Sequence, residues 1–299
     1  MKKIVVIGSC NTDFVISVPH IPAVGETILA HGAEVCYGGK GANQAAAAAK
    51  LGGDVAMIGC VGSDTHGATL SALLREYGVD TEGIHTTESA PTGTAYIYVS
   101  SRGENSIVVN SGANKFVSPE QVSQLEHLLA CADYCITQLE IPLPTIYHTA
   151  KLCRKLGVRF ILNPAPAAEL DYSQLHGTWM IIPNESELNL LIPGDAGISV
   201  KAQALLEHGF ENVLVTLGEQ GGLLVNSDSE MPYPAYTKLP VNDTTAAGDS
   251  FIGALAFSLA GGETLPNAIE FASKAAAITV SRAGALPSLP TQHDINSLT

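Results

Sequence analysis

The chain has 299 residues, 46% of them hydrophobic and 15% charged, with a formal net charge of −14. That balance describes a packed globular chain rather than a disordered one, with length enough for a large core. An acidic surface repels phosphodiester backbones and anionic lipids, so neither nucleic acid nor membrane is an expected partner; a small nucleotide is not excluded, because amides and metal ions can make a pocket locally positive.

In chain order, two lysines precede Ile4-Val5-Val6-Ile7-Gly8. This run is too short for a signal peptide, and Ser9, Asn11 and Asp13 interrupt it, so a buried first strand is expected. Further strands are expected over 55–59, 134–137, 160–163, 180–183 and 212–217, and helices over 41–51, 66–77, 118–130, 144–155 and 201–208. The alternation predicts βαβ units and a mostly parallel sheet covered on both faces. Two regions break it. Residues 14–37 are β-like without a helix, and 93–110 read as a hairpin turning at Arg102-Gly103-Glu104-Asn105. These pieces can pair into one small sheet, whose second face would need a substrate or a second subunit to cover it. Small-residue helices over 247–260 and 266–280 and a loop over 282–288 close the chain.

Cys10, Cys36, Cys60, Cys131, Cys135 and Cys153 form no Cys-x-x-Cys pair and are expected to be reduced and buried, as in a cytoplasmic protein. The nine histidines lack zinc-type spacing. No run approaches the ~20 apolar residues of a membrane span.

Three segments carry chemistry. The first is Asn242-Asp243-Thr244-Thr245-Ala246-Ala247-Gly248-Asp249-Ser250-Phe251. Small residues at a helix entrance leave free amides to cradle an anion, and a carboxylate in that turn can take a proton from an attacking hydroxyl. The residues alone read equally well as a helix capped by Thr244 or Thr245, with Asp249 complementing its dipole. The second is Tyr37-Gly38-Gly39-Lys40-Gly41-Ala42-Asn43-Gln44, opening an alanine-rich helix. It lets backbone approach a ligand and offers an amide for sugar hydroxyls, or it is a plain glycine turn. It is not a Walker A loop, and no dinucleotide fingerprint follows the first strand. The third is Asn11-Thr12-Asp13, beyond that strand, which can grip vicinal hydroxyls or form an Asx turn.

Taken together, these segments resemble the PfkB family of carbohydrate kinases, also called the ribokinase family, over essentially the whole chain. Between them Asn163-Pro164-Ala165-Pro166, Pro183-Asn184-Glu185-Ser186-Glu187 and Thr216-Leu217-Gly218-Glu219-Gln220-Gly221 follow in the family's order. The resemblance implies a ribokinase-like α/β fold: one domain over 1–299, with a β lid formed by about 14–37 and 93–110 that pairs two subunits. It implies an ATP-dependent kinase acting on O5 of D-ribose, with deoxyribose, fructose or adenosine as alternative acceptors. A non-catalytic sugar-binding regulator is the reading from another class; its mark would be a lost base or broken anion hole, and both are intact.

The resemblance also assigns residues. Asn11, Asp13, Gly39, Lys40, Asn43 and Glu140 match sugar contacts, and Asp249 matches the base. Ala246, Ala247 and Gly248 match the anion hole. Thr216, Leu217, Gly218, Glu219, Gln220, Gly221, Gly248, Asn184 and Ser273 match the ATP site. Asn184 and Glu187 match an Asn-x-x-Glu element that organises Mg²⁺ through water. Asp243, Thr245, Thr279, Arg282, Gly284 and Ser288 match a K⁺ loop, largely through backbone carbonyls. Many members carry glycine where this chain has Ala246, and alanine is expected to hold that residue to ordinary dihedrals.

Overall fold

The computed structural model describes residues 3–298. Its strands are β1 (Lys3–Ile7), β2 (Asn11–Val18), β3 (Gly32–Gly38), β4 (Asp54–Gly62), β5 (Val79–Asp80), β6 (Ile84–Thr87), β7 (Gly93–Ser100), β8 (Asn105–Asn110), β9 (Ala132–Gln138), β10 (Arg159–Asn163), β11 (Met180–Ile181), β12 (Asn212–Thr216), β13 (Gly222–Asn226) and β14 (Glu230–Tyr233). Its helices are α1 (Lys40–Lys50), α2 (Thr65–Glu76), α3 (Pro119–Gln124), α4 (Glu126–Ala130), α5 (Leu143–Leu156), α6 (Tyr172–Leu175), α7 (Glu185–Leu191), α8 (Ile198–Glu207), α9 (Ala247–Ala260), α10 (Leu265–Val280) and α11 (Gln292–Asn296).

The large sheet runs β14-β13-β12-β11-β10-β9-β1-β4-β5, with β6 also on β4. Pairings from β12 through β4 are parallel, and β13 and β14 add an antiparallel edge. In β1 the side chains of Ile4, Val5, Val6 and Ile7 are wholly buried, as a strand covered on both faces requires. One face packs on α1, α9 and α10 through residues such as Ala46, Ile252 and Ile269. The other packs on α3 to α8 through Ile146, Leu188 and Leu205.

The expected small sheet is present, in the order β3-β2-β7-β8. β2 pairs antiparallel with β3 and parallel with β7, and β7 with β8 forms the expected hairpin. Asn11 and Asp13 therefore lie in a strand, not in an Asx turn.

Other departures have local causes. The expected 118–130 helix is two short helices, broken at Leu125, whose amide is shared between the carbonyls of Gln121 and Val122. The strand expected over 180–183 shrinks to two residues. The β13–β14 hairpin was not anticipated; its tight turn is held by Asn226 Oδ1, which accepts from the amides of Asp228 and Ser229. All six cysteines are free, as expected, but Cys131 is exposed and Cys36 half-buried, because one ends a surface helix and the other lies in the small sheet. Among the described residues, no helix is long and apolar enough to cross a membrane.

Candidate active site

The candidate functional side chains gather where parallel strands end. Ser9, Asn11 and Asp13 follow β1, Gln138 ends β9 with Glu140 just beyond, Asn163 ends β10, Asn184 follows β11, and Thr216 ends β12. β1 sits between β9 and β4, so the chain leaves it in both directions; this is the switch point at which open α/β sheets bind ligands.

Two helices meet above that point. A Cβ at Gly253 of α9 would come within 2.6 Å of the Ala47 Cβ and the Gln44 carbonyl of α1, so only glycine permits this approach. One turn earlier on α9 is Asp249, which is buried. Its Oδ2 accepts from Asn43 Nδ2 at 2.9 Å, and its Oδ1 accepts from Gln44 Nε2 at 2.8 Å. Gln44 Nε2 also donates to Asn163 Oδ1 at 3.1 Å, and Gln44 Oε1 accepts from Gln138 Nε2 at 2.7 Å. The carboxylate is thus fixed at both oxygens by amides that are themselves fixed. Each oxygen keeps a lone pair for a further donor.

Facing Asp249 is a second set of groups. Glu140 Oε2 accepts from Ser9 Oγ at 2.5 Å, from the Lys40 amide at 3.3 Å and from Asn11 Nδ2 at 3.4 Å. Gly39 has φ +93°, and a Cβ there would sit 2.8 Å from the Asn11 amide, so glycine is required at this turn. Beside Gly38 converge Asn43 Oδ1 and Asp13 Oδ2. The Asn43 Oδ1 is buried and has no partner among the described residues. Asn43 therefore gives one N–H to Asp249 and keeps its acceptor open.

Charge in this space is mostly negative. Burial, with the Glu140 and Asp249 carboxylates beside it, raises the Asp13 carboxyl to about 7. Burial works against the charge of Lys40, but the carboxylates of Asp249, Glu140 and Glu187 outweigh it and hold the ammonium above its ordinary value. Burial likewise raises Glu187.

The entrance to α9 is unusual. Neither Thr244 nor Thr245 caps it; the N-cap is Ala246, at φ 59° and ψ 11°. Ala246 is the one non-glycine residue with positive φ among those described, contrary to the expectation of ordinary dihedrals. The left-handed geometry costs an L residue about 1–2 kcal/mol, and just after it the Ala247 amide donates to the Thr244 carbonyl at 3.3 Å. A Cβ on Gly248 would meet nothing within 4 Å, so open space lies in front of it.

Asn184 and Glu187 form a reciprocal capping box: Asn184 Oδ1 accepts from the Glu187 amide, and Glu187 Oε2 accepts from the Asn184 amide. Asn184 is bridged to Thr216, where the chain turns through Gly218–Gln220. Ser273 lies apart, in a largely apolar cavity of about 530 Å³ lined also by Tyr233, Tyr236, Ile269 and Leu298. In the expected cation loop, the Asp243 carboxylate accepts from the amides of Thr245 and Gly284 at 2.9 and 2.8 Å and so ties the two segments together. Burial opposes its charge, but these hydrogen bonds prevail and hold its pKa below the ordinary value. The Arg282 guanidinium is turned away to Asp294, and the hydroxyls of Thr279 and Ser288 donate within the chain, to Ser250 Oγ and the Ala275 carbonyl and to the Ala285 carbonyl.

A family model for the pfkB family carbohydrate kinases matches residues 1–292. The chain belongs to the PfkB family of carbohydrate kinases. Across the family, it is 40% identical to the ribokinase of Haemophilus influenzae, over 98% of this chain and 97% of that one. The deoxyribokinase of Salmonella typhi is 36% identical, over 98% and 97%. The structure of Arabidopsis thaliana ribokinase complexed with ribose and ATP superposes with a TM-score of 0.92 at 32% identity, covering 99% of this chain and 98% of that one. A family-wide ribokinase-like fold, a mostly parallel sheet with helices and a separate small sheet, is thereby established, as is sugar-kinase activity.

The fold brings Asn11, Asp13, Gly39, Lys40, Asn43, Glu140 and Asp249 together at the end of β1. Sequence reasoning assigned no role to Ser9, Gln44, Asn114, Gln138 or Asn163. A signal existed for two of them: Gln138 and Asn163 are amides ending otherwise apolar strand runs.

Proposed function

We propose that the chain transfers the γ-phosphoryl group of ATP to the O5 hydroxyl of D-ribose, giving ribose 5-phosphate, with Asp249 as general base. The observation that carries this reading is the setting of Asp249: buried in the first turn of α9, next to Gly248 and its open space, and held at both oxygens by Asn43 and Gln44. A base so held takes the hydroxyl proton while the amides of Ala246, Ala247 and Gly248 receive the transferred group. Phosphoryl transfer asks a protein mainly to position groups and stabilise charge. Asn11, Asp13, Gly39, Lys40, Asn43 and Glu140 grip the sugar, and the open Asn43 Oδ1 supports this. Thr216, Leu217, Gly218, Glu219, Gln220 and Gly221 form the phosphate-side wall for ATP, and the cavity at Ser273 takes its base. The named activities of the Haemophilus and Arabidopsis relatives favour ribose; the Salmonella deoxyribokinase supports a second reading, 2-deoxyribose.

Mg²⁺ bound with ATP neutralises charge on the phosphates. Asn184 and Glu187 suit it: both carry hard oxygen donors, the capping box uses Glu187 Oε2 and Asn184 Oδ1 but leaves Glu187 Oε1 out of it, and no cluster of three or more ligating side chains exists among the described residues, so a metal here would lean on water and phosphate. K⁺ would lie against the carbonyls of the loop that Asp243 pins to Gly284, with Thr245, Thr279, Arg282 and Ser288 contributing main chain. The small sheet serves as the lid of a single domain. It also pairs two copies of a cytoplasmic homodimer, a reading supported by the exposed Val35, Tyr96 and Val108 on one face and Ile107 and Val109 on the other.

The test is coupled ADP release against a panel of pentoses, hexoses and nucleosides, with and without K⁺. Ribose is expected to give the highest kcat/KM, and K⁺ to raise it. A strong preference for another acceptor overturns the substrate, and no ADP with any acceptor overturns the kinase.

A further inference from the structure

We propose that Asn114, which lies outside the set of sugar contacts, sets substrate specificity by fixing which end of the Asn11 amide faces the sugar. The inference rests on the reading of the site as a ribose kinase. It starts from a group whose polarity is not in question. The backbone N–H of Cys10 donates to Asn114 Oδ1 at 2.8 Å. The Nδ2 of Asn114 must therefore lie on its other side, where it donates to the Cys10 carbonyl at 3.2 Å and to Asn11 Oδ1 at 2.7 Å. A reversed Asn114 would set two N–H groups against each other. Since Asn114 offers a donor, Asn11 must answer with its oxygen. Its Nδ2 then points the opposite way, into the site toward Glu140 Oε2, 3.4 Å off.

Both amides are almost fully buried, Asn11 at 3% and Asn114 at 1% exposure, so water has little room to relax either orientation. Gly93 seals the pair: a Cβ there would fall 2.3 Å from both Asn11 Oδ1 and Asn114 Nδ2. The contact spans more than a hundred residues, joining the turn that follows β8 to the first residue of β2.

Asn11 thus presents only N–H to a ligand, beside the carboxylates of Asp13 and Glu140, which accept. A hydroxyl satisfies both, receiving from Asn11 and donating to a carboxylate. A C–H in its place leaves a buried N–H with only the long contact to Glu140, and a site built this way discriminates against the analogue lacking the hydroxyl. The class selected is an acceptor with vicinal hydroxyls, ribose over 2-deoxyribose.

The test compares kcat/KM for ribose and 2-deoxyribose in Asn114→Asp and Asn114→Ser. Aspartate still accepts from the Cys10 amide but demands a donor from Asn11, turning the Asn11 oxygen toward the sugar. The ribose value is expected to fall about tenfold or more, mainly through KM, and the 2-deoxyribose value about threefold or less. Asn114→Ser, too short to reach Asn11, is expected to lower the same ratio by a smaller factor. Equal losses on both sugars, the mark of a merely structural role, overturn the inference, as does an unchanged ratio. Asn11→Asp, which sets an acceptor where only a donor belongs, carries the same comparison should the Asn114 variants not fold. An unaltered enzyme inactive on ribose would refute the functional reading itself; an active one whose variants keep its selectivity refutes only the role of Asn114.

Discussion

Asp249 and Asp13 face the same space and are held in opposite ways. Asp249 stands on a helix in the seam between α1 and α9, with an amide N–H on each oxygen and a second layer of amides behind. Asp13 stands on the small sheet, and no hydrogen bond from a described residue reaches its carboxylate; it is buried near two other carboxylates and its pKa rises to about 7. The seam is complete before any ligand arrives. The sheet side is not, and its acceptors are left for a substrate to satisfy. On the proposed assignment of roles, preorganisation is concentrated where a proton moves, and openness where a sugar enters.

The comparison can be broken most sharply at the base. Asp249→Asn should lower kcat by roughly 10²–10⁴-fold, the usual worth of general base catalysis. Sugar binding by calorimetry should persist, because the sheet side is untouched; unchanged turnover would remove Asp249 from its role. Behind it, Gln44→Leu keeps the packing of the seam but removes one donor to Asp249 and the link to Gln138. A loss of about 10–100-fold in kcat is expected, with KM for the sugar moving less than about threefold. A change confined to KM would show that the seam binds rather than positions.

The sheet side makes a pH prediction. The folded chain holds a proton on Asp13 up to about 7, whereas the unfolded chain releases it near the ordinary 3.8. Across that window the folded state binds more protons, so this group's contribution to stability is present at low pH and is lost as pH rises. Asp13→Asn should flatten the corresponding slope in melting temperature, and an unaltered slope would show that Asp13 ionises normally. The smallest effect is expected at Ala246→Gly. Relief of about 1–2 kcal/mol of left-handed strain is offset by about 0.4–1 kcal/mol of added unfolded-state freedom, leaving a gain of no more than ~1.6 kcal/mol in denaturant unfolding.

Much of this was legible beforehand. The strand and helix periods located β1, β4, β9, β10 and β12 and the helices α1, α9 and α10, because buried parallel strands and small-residue helices leave strong local patterns. The hairpin of β7 and β8 was marked by its turn residues. The β13–β14 edge was not, since its strands are short. At the site, the proposed roles of Asp249 and Asn43 were marked by their motifs, and that of Glu140 by the family resemblance alone. Gln138 and Asn114 were not, because an amide carries no signature until its partner is known. Ala246 was misjudged because sequence shows which dihedrals a residue prefers, not which it is forced to adopt.

The sequence by itself determined the family, the order of the elements and the presence of a carboxylate at the entrance to α9, since each is written in residues close together in the chain. Tertiary structure decided which groups that carboxylate answers to. Gly253 lets α1 approach until Asn43 and Gln44 reach Asp249, some two hundred residues away. Asn114 reaches back about a hundred residues to orient Asn11. Hydrogen bonds act over about three ångströms, so the atoms that tune this site become neighbours only when the chain is folded.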